Sequence, residues 1–220
     1  MGIKQKIFYN AFFRFAIQSS LKMQISACVT LTLVEWGQSD QLTQGLVAIF
    51  TVLVFVTLPS FFICVMYKNR ENLDLLSVRK RIGTLYSGLH TDSKVSLAYT
   101  IVFLLRRSLF CFFTFGMTNI PGIQVQVFIF SSVLYVIYLN HVQFETKLQR
   151  AQENFNEAIF IFICYHLVLY SNLVDDYDAK ILIGDSLAYS CVFMLAVNIL
   201  IILVVNCGVI KQKCRISALK

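Results

Sequence analysis

Six polar residues recur every four positions near the start of the chain: Asn10, Arg14, Gln18, Lys22, Ser26 and Thr30. Set in apolar sequence, such a row can hold an anion, line an aqueous path or pair with acids on another helix. Each step advances about 400°, so the row drifts about 40° per step on a helix of 3.6 residues per turn. A winding polar stripe of this kind cannot face lipid tails. It meets other helices or water, or its helix lies flat in the membrane interface. Arg106 and Arg107 are a second set of charges inside apolar sequence. Each costs about 2.5–3.5 kcal/mol at the centre of a membrane helix unless it is paired or hydrated. Neighbouring residues point about 100° apart, so at most one of the two meets a given partner squarely. The acids placed to pair with these bases are Glu35, Glu157 and Asp185, all near span boundaries. Structural ion pairing is one reading of these residues, and a polar pathway through the bundle is the other. The adjacent arginines lack the three-residue spacing of a voltage-sensing helix.

Two charged clusters lie outside the apolar segments. Arg79-Lys80-Arg81 is a juxtamembrane basic run, a candidate for lipid headgroups. Such a run gains about 1 kcal/mol per charge near an anionic leaflet. Asp175, Asp176 and Asp178 form an acidic patch in a short loop, which is either a solvated turn or a device that concentrates cations at an outer mouth. The seven cysteines include no CxxC and none in an outer loop, so neither a disulfide framework nor a zinc site is expected. Cys207 and Cys214 stand beside Lys211 and Lys213, where palmitoylation is chemically open. His90, His141 and His166 include no pair three or four apart. No nucleophile elbow, Walker loop, HExxH or dinucleotide fingerprint occurs. No catalytic residue, metal ligand or cofactor is therefore assigned, and an enzyme is not expected.

The elements that must position these residues follow from composition. The chain has 220 residues, 57% apolar and 14% charged, with a mean hydropathy of +0.69. A soluble chain carries roughly 25% charged residues, so this one lacks the polar surface for water. Continuous rather than alternating apolar runs exclude a transmembrane barrel. The expectation is an all-α, polytopic transmembrane helical bundle in one domain, 1–220, because a crossing needs about 20 apolar residues. Six spans are read at about 8–36, 45–67, 95–118, 123–142, 157–174 and 181–210, with a cytoplasmic loop at 68–94. Five spans plus an interfacial first helix is the alternative. Fourteen of the nineteen Lys and Arg fall on alternate connections that include both termini, and only Lys180 falls on the other side. This bias places both termini in the cytoplasm and accounts for the net charge of +7 without a nucleic-acid partner.

Several short motifs resemble a family. They are Tyr9-Asn10 with Arg14 and Ile25-Ser26, then Gly83-Thr-Leu-Tyr86-Ser-Gly88-Leu89, then Leu104-Leu-Arg106-Arg107, then Asn154-Phe-Asn156-Glu157. In this order they resemble the C-terminal polytopic membrane module of large ciliate-type transmembrane proteins, over about residues 8–210. More distantly they are similar to fungal transient-receptor-potential-like proteins. The resemblance implies a helical bundle linked to ion or small-molecule transport. Such relatives usually carry a long extracellular part before the bundle, so this chain reads as a truncated or stand-alone copy.

Two functions follow as expectations. The first is a channel- or transporter-like module without an autonomous pore loop, because the connection near Asp175–Lys180 is too short to hold a pore helix and filter. The second is a structural or scaffold subunit of a membrane complex. The partners expected are the bilayer, anionic lipid at the cytoplasmic face, and other subunits or further copies of the chain.

Overall fold

A computed structural model describes residues 3–37, 39–73, 75–91, 93–170 and 176–218. Side chains are described over 11–37, 41–73, 75–79, 81–91, 93–170, 176–205 and at 207. Asp175 and the side chains of Asn10, Lys80 and Cys214 therefore lie outside the described residues.

The described residues are mostly helical. The helices are α1 (Ile3–Leu33), α2 (Ser39–Asn69), α3 (Leu76–Ile82), α4 (Lys94–Leu97), α5 (Tyr99–Gly116), α6 (Pro121–His141), α7 (Lys147–Tyr170) and α8 (Tyr177–Ala218). Short 3-10 turns at Arg70–Asn72 and Gly83–Leu85 flank α3. Among the described residues, four helices are long and apolar enough to cross a membrane by length and composition, namely α2, α5, α6 and α8 over Tyr177–Val205. α1 carries Arg14 and Lys22, and α7 opens with Lys147, Arg150 and Glu153, so neither joins them. Two compact units form. One takes Met1–Gln124 and Ile137–Gln149, and the other Val125–Val136 and Arg150–Lys220.

The first unit is built on the α1–α2 hairpin. α1 buries Phe13, Ala16, Ser20, Gln24 and Ala27, and α2 buries Gly45, Ala48, Leu58, Pro59, Phe62 and Met66. The α1 set follows steps of three and four, as do Gly45–Ala48 and Leu58–Phe62–Met66 on α2, so each helix buries one seam. The small residues let the backbones approach closely. Phe13 meets Phe62 edge-on, with ring centroids 5.4 Å apart. At the far end Trp36 lies against Gly45, where an added Cβ would stand 3.0 Å from the indole. The turn is held by the Glu35 backbone N–H, which donates to Gln41 Oε1 at 2.6 Å. The two helices thus run antiparallel from the Phe13–Phe62 contact to the turn. α5 packs on both of them, and α3 packs on α1.

The second unit holds an antiparallel α7–α8 pair with polar contacts along it. Gln152 Nε2 donates to Asn198 Oδ1 at 2.9 Å, and Asn198 Nδ2 donates to Asn156 Oδ1 at 2.8 Å. Phe155 meets Phe193 edge-on at 6.0 Å. These contacts accompany a departure from the sequence reading. The residues from Lys147 to Asn156, expected within a loop, are helical, and from Gln152 onward they contact α8 through Gln152, Phe155 and Asn156. Paired amides cost far less in an apolar setting than unpaired ones.

Candidate functional site

A polar cavity lies in the first unit, between α1, α3 and the segment 83–91. It measures about 330 Å³ and is lined by Arg14, Arg79, Thr84, Ser87, His90, Thr91 and Glu145, over a floor of Leu73, Tyr86 and Leu89. That size is at the small end of ligand sites, which run from about 300 to 1,000 Å³.

Its floor is held by hydrogen bonds that are mostly buried. Thr100 Oγ1 donates to the Leu85 carbonyl at 2.5 Å, and the Tyr86 hydroxyl donates to the Leu73 carbonyl at 2.9 Å. The Gln143 backbone N–H donates to Ser96 Oγ, a fully buried hydroxyl, at 2.8 Å. An isolated antiparallel bridge joins Leu89 to Phe144. Around it, His90 N–H donates to the Gln143 carbonyl at 3.0 Å and Glu145 N–H to the Gly88 carbonyl at 2.9 Å. Gly88 turns the chain into this bridge with φ +81°, a left-handed conformation that only glycine adopts without strain. Arg79 reaches the wall from α3, and Arg14 reaches it from α1. Neither guanidinium, nor the His90 ring, hydrogen-bonds or ion-pairs with another side chain among the described residues.

The polar row of α1 runs on from this cleft. Arg14, Gln18, Lys22 and Ser26 are exposed and Thr30 is half-buried. The packing alternative for this row is therefore not met within the chain. The seam at Phe13, Ala16, Ser20, Gln24 and Ala27 occupies one side of the helix, and by 3.6-residue geometry the row winds around the other. At the opposite end of the hairpin a second groove of about 370 Å³ is lined by Ser26, Thr30, Thr43, Gln44 and Thr51 among others. The row thus runs from the polar Arg14 cavity to a groove whose lining is mostly apolar, with Met23, Ala27, Val47 and Ala48 beside its hydroxyls.

Arg106 and Arg107 behave differently from each other. The buried face of α5 carries Thr100, Leu104 and Cys111, and Arg107 lies on that face, three residues after Leu104. Its Nη1 donates to the Ile17 carbonyl at 3.0 Å and lies 3.5 Å from Ser20 Oγ. Its guanidinium carbon lies 4.0 Å from the Phe103 ring centroid. A backbone carbonyl, a hydroxyl and a ring are thus among the partners of Arg107. Arg106 is half-buried and partnered, and Glu157 is buried and partnered. Asp185 is exposed, as are Asp176, Asp178, Arg79 and Arg81. Asp176 Oδ1 accepts from the Asp178 backbone N–H at 3.2 Å, as a capping turn at the start of α8 would.

The histidines stay apart, and among the described residues no three of His, Cys, Asp and Glu gather as a metal site. His166 Nδ1 must donate to the Phe162 carbonyl, 2.9 Å away, because a carbonyl only accepts. In the neutral ring Nε2 then accepts from Ser186 Oγ at 3.0 Å. This residue joins α7 to α8.

Sequence reasoning singled out Arg14 and Arg79 separately and missed His90, Thr84, Ser87, Thr91 and Glu145 as their neighbours. Ser87-Gly88 was a legible turn signal. The closeness of Arg14 to Arg79 comes from the hairpin, and no local pattern carries it. The fold and cleft define an all-α chain compatible with a membrane protein. Compared with protein-family models, curated proteins and solved structures, the chain matches none.

Proposed function

We propose that the chain is an integral, multi-pass membrane protein with six crossings and both termini on the cytoplasmic face, with the loop 68–94. We further propose that it works as a channel- or transporter-like module rather than as an enzyme. The supporting observation is the row Arg14, Gln18, Lys22, Ser26 and Thr30, which lies along a helix as long as α2 and starts at the polar Arg14 cavity. α1 follows α2 from Phe13–Phe62 to Trp36–Gly45, so the two share one depth. That favours crossing over lying flat. A charged stripe at that depth needs water or protein against it, since lipid tails cannot solvate it. The polar path is completed by association with other subunits or further copies. The six positions between α7 and α8 are too few to hold a pore helix and filter.

A structural subunit is the second reading, favoured by the same exposed row if it meets an acidic partner helix. Purified chain in sealed liposomes separates the two. The transport reading expects ion flux that changes with Lys22→Gln and with Asp176→Asn. No flux, together with loss of self-association on Lys22→Leu, would replace it with the structural one.

A further inference from the structure

We infer that the cleft joining Arg14 of α1 to Arg79 of α3, beside His90, is a binding site for a single phosphate group. The group is presented by a lipid headgroup at the cytoplasmic face.

The donor set fits that chemistry. Guanidinium groups match phosphate oxygens in geometry and charge. Here two of them come from elements 65 positions apart in sequence and line one cavity with an imidazole and three hydroxyls. Both guanidiniums keep their full donor capacity, because no side chain among the described residues bonds to them. Two like charges lining one cleft repel each other, and an anion between them relieves that cost. Glu145 is the carboxylate on the wall. Among the described residues of the lining, two guanidiniums and one carboxylate leave one surplus positive charge, which suits one phosphate and disfavours a polyphosphate.

The depth fits a lipid. From the register of Phe13 on Phe62, Arg14 lies level with Phe61 on α2. Phe61 is six residues, about 9 Å along a helix, from Tyr67 at the end of the apolar run. An arginine side chain from there reaches the polar interface, as snorkelling residues do. The site rests on the proposed topology for this depth alone.

The basic run gives an internal control. Arg79 lines the cleft, whereas Arg81, two residues away, does not. Diffuse attraction to an anionic surface treats the two alike. The full chain is placed in phosphatidylcholine discs with and without phosphatidic acid. Retained lipid is counted by mass spectrometry, and the melting temperature is read. Arg14→Gln and Arg79→Gln are each expected to lower phosphatidic acid retention about tenfold, the worth of one charge-assisted hydrogen bond. Arg81→Gln is expected to cost several-fold less. Equal losses for Arg79→Gln and Arg81→Gln would overturn the site in favour of a surface patch. If the Gln variants do not elute as folded chain, displacement decides: glycerol phosphate that fails to displace phosphatidic acid from the native chain overturns the site. In discs of phosphatidylcholine alone, a rise in melting temperature with inorganic phosphate, without lipid retention, keeps the phosphate site but overturns its lipid source. That is also the pattern expected if the cleft does not lie at the interface. Loss of both responses removes the site whatever the topology.

Discussion

Arg107→Glu is expected to lower stability more than any other single change at the α1–α5 joint, by about 3–5 kcal/mol. The native guanidinium donates to the Ile17 carbonyl at 3.0 Å and faces Ser20 Oγ at 3.5 Å. A carboxylate there has only acceptors, so it meets the carbonyl oxygen with repulsion. It also forfeits the charged hydrogen bond, worth about 1.5–3 kcal/mol, and the contact with the Phe103 ring. Arg107→Lys keeps the charge and one donor to the carbonyl but loses the planar contact with the ring. Its expected cost is about 1 kcal/mol, the scale of an exposed cation–π contact. Melting of the detergent-purified chain checks both. Equal losses for Glu and Lys would mean that the carbonyl contact does not hold the joint.

Gly88→Val is expected to cost about 2 kcal/mol and to abolish phosphate-lipid retention. Two causes compete, backbone strain at φ +81° and the approach of a Cβ to Gln149 Oε1 at 2.7 Å. The amide is the end of a flexible side chain and can move, so the strain decides. A β-branched residue with positive φ is a genuine outlier, and strained backbone conformations cost about 1–3 kcal/mol each. The chain relieves that strain by releasing the hydrogen bonds around the Leu89–Phe144 bridge, and His90 leaves the cleft wall with it. Adding Gln149→Ala is expected to rescue little. A full rescue by that change would show that the clash, and not the backbone, sets the cost. Gly88→Ala, which keeps the same sign of φ without branching, is expected to cost about half as much.

Much of the helical architecture was legible because it rests on local signals. The apolar runs at 45–67, 123–142 and 181–210 became parts of α2, α6 and α8, as lengths near 20 residues require. The adjacent arginines were legible as unequal, since neighbours on a helix diverge, and Arg107 is the one on the Leu104–Cys111 face. The polar opening of α7 was not legible. Lys147 to Asn156 reads as loop by composition, and the bonds that Gln152 and Asn156 make with Asn198 are tertiary contacts that composition does not carry. The burial of α1 was equally hidden. Counting polar residues at fourfold spacing drew attention to the row, whereas the seam is made of alanine, serine and a phenylalanine at steps of three and four. The cleft depends on two elements meeting through the hairpin, which no single segment encodes.

The central claim is that α1 crosses the membrane beside α2, so that its polar row and the Arg14 cleft lie in one crossing module. Single cysteines at Gln5, Ser77 and Tyr177, each in a background cleared of the native seven, test it with a membrane-impermeant thiol reagent on sealed cells or vesicles. Six crossings predict that the Gln5 and Ser77 positions label together, from the side opposite to Tyr177. Labelling of Gln5 together with Tyr177, while Ser77 stays protected, would place α1 flat on the outer face and contradict the account.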